Sequence, residues 1–122
     1  MALRYVLDEN LRGRFWRALR REYAAVTPPI DVTQVGDPAD LPLGTTDPDL
    51  LLWAEPEGWV IVTLDEQTMP GHHADHLAAG RHSSGLFLLR KNQPWSVLLR
   101  ELVRLGLTTD PAAVRDTIFY LP

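Results

Sequence analysis

Three aspartates in this sequence stand where a chain could hold a divalent metal ion. Asp8 and Asp65 each follow a short apolar run, residues 3–7 and 59–64, and Asp47 opens a predicted helix. Such runs are typical of buried parallel strands, and sites in open α/β sheets form just beyond the carboxyl ends of those strands. Hard cations such as Mg²⁺ and Mn²⁺ prefer carboxylate oxygens. A metal bound there would activate water and brace a phosphodiester for in-line displacement.

Other polar residues would support or complement this site. Four neighbours would serve as additional ligands or as hydrogen-bond partners of the ligands: Glu9, Asn10, Asp49 and Glu66. Arg81 and Arg90 flank a predicted strand, where they would contact a substrate phosphate or simply pair with acids. A structural role is the alternative for the aspartates, because Asp47 is a good helix N-cap and strand-end carboxylates satisfy backbone groups.

The elements that must position these residues begin with a strand over residues 3–7. Asn10 is then expected to cap a helix running to about Glu22, followed by a short strand over residues 23–27. Residues 28–46, with four prolines and two glycines, predict a long irregular loop. Asp47 as N-cap and Pro48 in the first turn predict the next helix, which ends near residues 56–58.

The second half of the chain continues this alternation. Residues 59–64 and 85–89 predict strands, and the segment between them, residues 67–84, predicts a loop or a broken helix. A helix over residues 95–107, a helical turn after residue 110 and an edge strand over residues 117–121 complete the prediction. The pattern indicates a single domain over residues 1–122, a three-layer α/β fold with a mainly parallel sheet of about four to five strands.

Composition bounds the class of protein. The net charge is −4 and cysteine is absent, so no disulfide framework or thiolate metal site is expected, and a cytoplasmic location is the default. No apolar stretch approaches the length of a membrane span. Positive charge is concentrated in one predicted helix, where Arg14, Arg17 and Arg21 share a face. That face would bind a phosphate backbone or be merely solvated.

Histidine and tryptophan offer two further candidates. His72, His73 and His76 have the spacing of helical zinc ligands, but without an evident fourth ligand a solvated histidine-rich loop is favoured. Trp16 adjoins the apolar stripe of the arginine-rich helix. Its partial exposure would indicate a contact with a second copy or a protein partner.

Four segments, in order along most of the chain, resemble one known family. They are VLDENL at residues 6–11, TDPDLL at 46–51, VIVTLD at 60–65 and GLFLLR at 85–90. Together they are similar to the PIN-like family DUF5615, related to the Mut7-C domain. The resemblance implies a PIN-like fold and a ribonuclease that uses Mg²⁺ or Mn²⁺, with Asp8, Asp47 and Asp65 at the acidic metal-binding positions.

The same resemblance carries expectations about partners and activity. Many PIN domains are toxins of bacterial toxin–antitoxin pairs, which implies an RNA substrate, an antitoxin protein partner and a homodimer as candidate interactions. Many relatives carry a second aspartate where this chain has Gln67, and Glu66 would be its substitute. Two alternatives stay open: a catalytically inactive PIN-like module that binds proteins, and a nuclease or phosphoesterase acting on another phosphate substrate.

Overall fold

The computed structural model describes residues 3–25 and 31–121 of the chain. The strands are β1 (Arg4–Leu7), β2 (Val32–Gln34), β3 (Trp59–Thr63), β4 (Leu86–Leu89) and β5 (Ile118–Leu121). The helices are α1 (Arg14–Ala24), α2 (Asp47–Glu57), α3 (Met69–Ala78), α4 (Trp95–Thr108) and α5 (Pro111–Val114), and a 3₁₀ turn spans Glu9–Leu11.

All five strands belong to one parallel sheet in the order β2-β1-β3-β4-β5. The central register places Leu7 beside Gln34 on one side and Val62 on the other. Every residue of β3 and β4 is buried, as expected for strands covered on both faces. The predicted α/β fold with a mainly parallel sheet is confirmed.

Alternating strand residues fill two separate cores, one on each face of the sheet. Tyr5, Leu7 and Val62 point into a core closed by α1, α4 and α5. Val6 and Ile61 point into the other core, which α2 and α3 cover. Because successive side chains of a strand alternate between faces, this pattern produces the predicted three layers.

The connection from β4 to β5 has the opposite handedness to the other three connections between consecutive strands. β4 lies beyond β3, and β5 lies beyond β4 in the same direction. α3, which links β3 to β4, covers one face, whereas α4, which links β4 to β5, packs on the opposite face beside α1. Since parallel crossovers are almost always right-handed, the β4–β5 connection is the left-handed one. This placement brings the start of α4 next to α1.

The first helix differs from its prediction at both ends. Asp8, not Asn10, caps the 3₁₀ turn, and α1 begins only after Gly13, whose φ of 89° redirects the chain. The helix then extends to Ala24, so the predicted strand over residues 23–27 is wrong at its start, and residues 26 and 27 lie outside the described part. Tyr23 is helical because it continues the buried stripe of Phe15 and Leu19 at a spacing of four.

Two predicted loops also contain regular structure. Val32–Gln34 forms the edge strand β2 within the stretch predicted as irregular, because β1 has a free side with which these residues pair. The segment predicted as a loop or broken helix contains the continuous helix α3, with Pro70 in its first turn, where a missing N–H costs nothing. The remaining predicted elements agree with the structure to within one or two residues.

Candidate functional site

The carboxyl ends of β1 and β3 meet at the point where the sheet changes direction. From β1 the chain leaves to one side to form β2, and it returns across β1 to form β3. Open parallel sheets bind ligands in the crevice at such a switch point. Asp8 directly follows β1, and Asp65 lies two residues after β3. We call this region the acidic edge, which also includes Asp47 at the start of α2.

Asp8 is a buried carboxylate, only 9% exposed, and both of its oxygens accept hydrogen bonds. The backbone N–H of Glu9 donates to Oδ1 at 2.7 Å. The hydroxyl of Thr63 donates to Oδ2 at 2.8 Å. A buried charge needs such partners, because an unpaired one would be expensive to remove from water.

Thr63 joins the two strand ends chemically. Its side chain is fully buried, and its Oγ1 accepts from the backbone N–H of Asp65 at 3.0 Å while donating to Asp8. Asn10 Nδ2 approaches the same oxygen at 3.5 Å. Thr63 was not predicted as a site residue. Its signal was a hydroxyl at the last position of an otherwise apolar strand.

Asp65 organises the start of α3. Its Oδ1 accepts from the backbone N–H groups of Gln67 at 3.1 Å and Thr68 at 2.9 Å, and its Oδ2 accepts from the Thr68 hydroxyl. The Thr68 hydroxyl, its backbone N–H and that of Gln67, together with the charge of Lys91, lower the pKa of Asp65 against the opposing effect of burial. The structural alternative therefore describes part of what Asp65 does. Thr68 and Lys91 were not predicted as site residues.

Asp47 lies close enough to Asp8 and Asp65 for their charges to affect its pKa. Thr46 is the N-cap of α2, accepting from the Asp49 N–H at 3.3 Å, so Asp47 is the first helical residue and its predicted role as cap is wrong. Partial burial raises the pKa of Asp47, and the negative charges of Asp8 and Asp65 raise it further. The charge of His72 and a hydrogen bond from Thr68 act in the opposite direction. The three aspartates thus share one electrostatic environment.

The donor chemistry of the acidic edge fits a hard cation, but its geometry is open. Within residues 3–25 and 31–121, no group of three histidine, aspartate or glutamate side chains converges closely enough to hold a metal ion. Asp8 and Asp65 are each turned toward hydrogen-bond donors of the protein. Burial first, and then repulsion by Asp8 and Asp65, raises the pKa of Asp47, and a cation between the carboxylates would relieve the repulsion.

The four predicted supporting residues lie in different environments. Asn10 approaches Thr63, and Glu9 Oε1 accepts from the Gly44 N–H at 2.8 Å, which ties the loop before α2 to the acidic edge. Glu66 and Asp49 are exposed. Asn10 and Glu9 are therefore the ones that touch other parts of the edge.

The two predicted phosphate contacts lie at opposite edges of the sheet. Arg90 follows β4 at the carboxyl edge, exposed, with its guanidinium 5.9 Å from the ring centre of Tyr120. Arg81 precedes β4 at the amino edge and pairs with Glu55 at 3.2 Å. Arg81 is thus remote from the aspartates, and its partner Glu55 lines an open cavity of about 650 Å³ together with residues such as Arg4 and His82.

The histidines of α3 divide between the two edges. His72 lies near Asp47, whereas His73 and His76 are buried, so the predicted solvated loop is wrong for those two. His73 Nε2 is 2.7 Å from Ser83 Oγ, and His76 Nε2 is 3.0 Å from Glu55 Oε1. The first pair joins α3 to the loop before β4, and the second joins α3 to α2. Burial lowers the pKa of His73, and the nearby His76 adds to this.

Comparison of the chain with protein-family models, curated proteins and solved structures finds no match. The PIN-like assignment therefore stays a prediction from the sequence. Among the described residues, no helix is long and apolar enough to cross a membrane.

Proposed function

We propose that this protein is a metal-dependent ribonuclease of PIN-like type whose active site is the acidic edge. Asp8, Asp47 and Asp65 would hold Mg²⁺ or Mn²⁺. The observation that carries the proposal is that carboxylates following β1, opening α2 and following β3 lie at one topological switch point of the sheet. Burial, and then the negative charges of Asp8 and Asp65, raise the pKa of Asp47, which supports a shared cation site at this edge.

The choice of RNA as substrate comes from the sequence resemblance. A bound cation of this kind lowers the pKa of coordinated water and stabilises charge on phosphate oxygens. Cation binding at Asp47 would be favoured by the nearby negative charges of Asp8 and Asp65. Thr63 holds the Asp8 carboxylate in a fixed orientation. Lys91 and Arg90, at the same edge, would neutralise the scissile phosphate.

A toxin role within a toxin–antitoxin pair extends this proposal. It implies an antitoxin that covers the acidic edge or a neighbouring surface, and a homodimer as a further candidate assembly. Trp16 is half-buried with the Arg20 guanidinium 5.2 Å from its ring centre, which leaves part of the ring available for such a contact.

A second candidate is a catalytically inactive PIN-like module that binds proteins. The observation favouring it is that both oxygens of Asp65 are engaged by Gln67 and Thr68, where a metal ligand would leave one free. A nuclease or phosphoesterase that acts on another phosphate substrate uses the same metal chemistry and differs only in what it binds.

Cleavage of RNA tests the proposal. The wild-type protein, incubated with labelled single-stranded RNA and Mn²⁺, is expected to yield fragments that EDTA abolishes. Asp8→Asn should lose this activity by orders of magnitude, because it removes a ligand charge while keeping the side-chain shape. Asp75→Asn is the matched control, since Asp75 is exposed and lies in the second half of α3, away from the acidic edge.

Three outcomes separate the candidates. EDTA-sensitive cleavage that survives in Asp75→Asn and disappears in Asp8→Asn supports the ribonuclease. No cleavage of RNA combined with hydrolysis of a DNA strand or a phosphate monoester favours the alternative substrates. The absence of any hydrolysis from folded protein favours the inactive module.

A further inference from the structure

A groove between α1 and the start of α4 combines positive charge with an exposed aromatic ring. Its lining consists of Arg14, Arg17, Ala18, Arg21 and Trp95, and its volume is about 600 Å³. We call it the arginine–tryptophan groove. It exists because the left-handed β4–β5 connection brings α4 beside α1.

Trp95 is held in place without being buried. Its ring meets that of Phe15 at 87°, with centroids 5.3 Å apart, while 49% of the residue remains exposed. Phe15 itself is 1% exposed and belongs to the core, so it fixes the position of its neighbour. A large ring that is anchored on one side and solvated on the other is suited to stacking against a ligand.

The three arginines of the groove form a row of charges. At positions i, i+3 and i+7 of α1 they share one face and span about 10 Å along the helix. All three are exposed, and none forms an ion pair with another residue in the described part of the chain. In a protein of net charge −4, this row attracts a polyanion.

The groove opens toward the acidic edge. α1 follows β1 and α4 follows β4, so both helices begin at the carboxyl edge of the parallel sheet. Trp95 is the first residue of α4, and Lys91, whose charge lowers the pKa of Asp65, belongs to the turn just before it. Lys91 and Asp65 therefore lie at the same edge of the sheet as the start of the groove.

The geometry points to single-stranded RNA as the occupant: we infer that a base stacks on Trp95 while Arg17 and Arg21 contact successive phosphates. Aromatic stacking combined with a track of guanidinium groups is how proteins bind single strands without reading their sequence. A hydrophobic peptide fits less well, because Ala18 is the one aliphatic residue of the lining. The inference rests on the proposed function for the choice of RNA and for delivery to the acidic edge, and the binding itself needs no metal.

Fluorescence anisotropy with a labelled oligouridylate, in EDTA and over a series of KCl concentrations, tests this inference. Trp95→Ala should weaken binding roughly 5- to 100-fold through lost stacking. Arg17→Gln should weaken it and reduce the slope of log affinity against log salt by about 0.7, the value for one phosphate contact on a single strand. Arg115→Gln, an exposed arginine at the amino edge, removes the same charge and should leave binding and slope near those of the wild type.

The inference is overturned if the wild type does not bind the oligouridylate, or if Arg17→Gln and Arg115→Gln weaken binding equally. It is also overturned if a DNA oligomer of the corresponding sequence binds more tightly than the RNA. Circular dichroism of each variant establishes that the fold is intact. Groove-dependent binding without cleavage in Mn²⁺ would support the groove and count against the ribonuclease. Cleavage of RNA by the wild type, combined with unchanged RNA binding by Trp95→Ala, would support the ribonuclease and count against the groove.

Discussion

The Thr63 hydroxyl donates to Asp8 Oδ2 at 2.8 Å, and the same oxygen accepts from the Asp65 N–H at 3.0 Å. One buried side chain therefore fixes the positions of two strand-end aspartates relative to each other. Because Asp8 and Asp65 come from neighbouring strands, this contact also couples the ends of β1 and β3. The acidic edge depends on a residue that carries no charge.

Replacing Thr63 with valine keeps the shape of the side chain and removes its hydroxyl. The buried Asp8 carboxylate loses a donor, and the Asp65 N–H loses an acceptor, so we expect the free energy of unfolding to fall by about 1–3 kcal/mol. Urea denaturation monitored by tryptophan fluorescence measures this. Thr63→Ser should recover most of the loss, whereas equal destabilisation by serine would show that packing, rather than the hydroxyl, is responsible.

Asp47 should make the free energy of unfolding decrease as the pH rises, because its surroundings raise its pKa. Burial, Asp8 and Asp65 raise its pKa in the folded protein, so the ionised form is disfavoured there relative to the unfolded chain. This penalty on folding stability is absent below the pKa that Asp47 has in the unfolded chain. It develops as the pH rises through the pKa that Asp47 has in the folded protein. Asp47→Asn is expected to be more stable than the wild type at pH 7, and this difference should shrink at acid pH. A larger advantage of the variant at acid pH would contradict this account.

His73 should contribute to loss of stability on mild acidification. Burial lowers the pKa of His73 in the folded state below the ordinary 6.5. Just below that pH, the unfolded chain therefore binds a proton that the folded protein does not bind. Stability should therefore decline as the pH falls below 6.5, by at most about 1.4 kcal/mol per pH unit for this one group. His73→Gln should show a shallower dependence of unfolding free energy on pH in that range, and an unchanged slope would contradict the assignment.

Two tyrosines share one acceptor in the core beneath α4. The hydroxyls of Tyr5 and Tyr23 donate to the carbonyl of Leu102 at 2.9 and 2.8 Å. Either change to phenylalanine should cost about 0.5–1.5 kcal/mol, since the other hydroxyl still serves the carbonyl. The double variant should lose more than the sum of the two, because its last side-chain donor is then gone. Strictly additive losses in urea denaturation would indicate that the two bonds are independent.

Much of the architecture follows from local sequence signals. The apolar run that forms β3 and the Asp47–Pro48 start of α2 are strong patterns, and the structure places both elements within one residue of the prediction. The edge strand β2 is different, because its three residues become a strand only by pairing with β1, a contact that no local pattern contains. The extension of α1 to Tyr23 was visible as a spacing of four, but residues 23–27 were predicted as a strand.

The candidate site was likewise only partly predictable from the sequence. Strand-end positions predicted that Asp8 and Asp65 would lie at one edge, since parallel strands share their carboxyl ends. The coupling through Thr63 and the turn made by Thr68 depend on side-chain orientation, which spacing does not determine. Arg81 was misplaced because residues flanking a strand lie at opposite edges, and only Arg90 follows the carboxyl end of β4.

Calorimetric titration with Mn²⁺ tests the central claim most directly, because it asks whether the acidic edge binds a cation at all. The titration compares the wild type with Asp8→Asn, with Asp47→Asn and with the exposed control Asp75→Asn. We expect saturable binding by the wild type and by Asp75→Asn that is lost in the other two variants. Folded wild-type protein that binds no Mn²⁺, or binding that survives in both Asp8→Asn and Asp47→Asn, would contradict it.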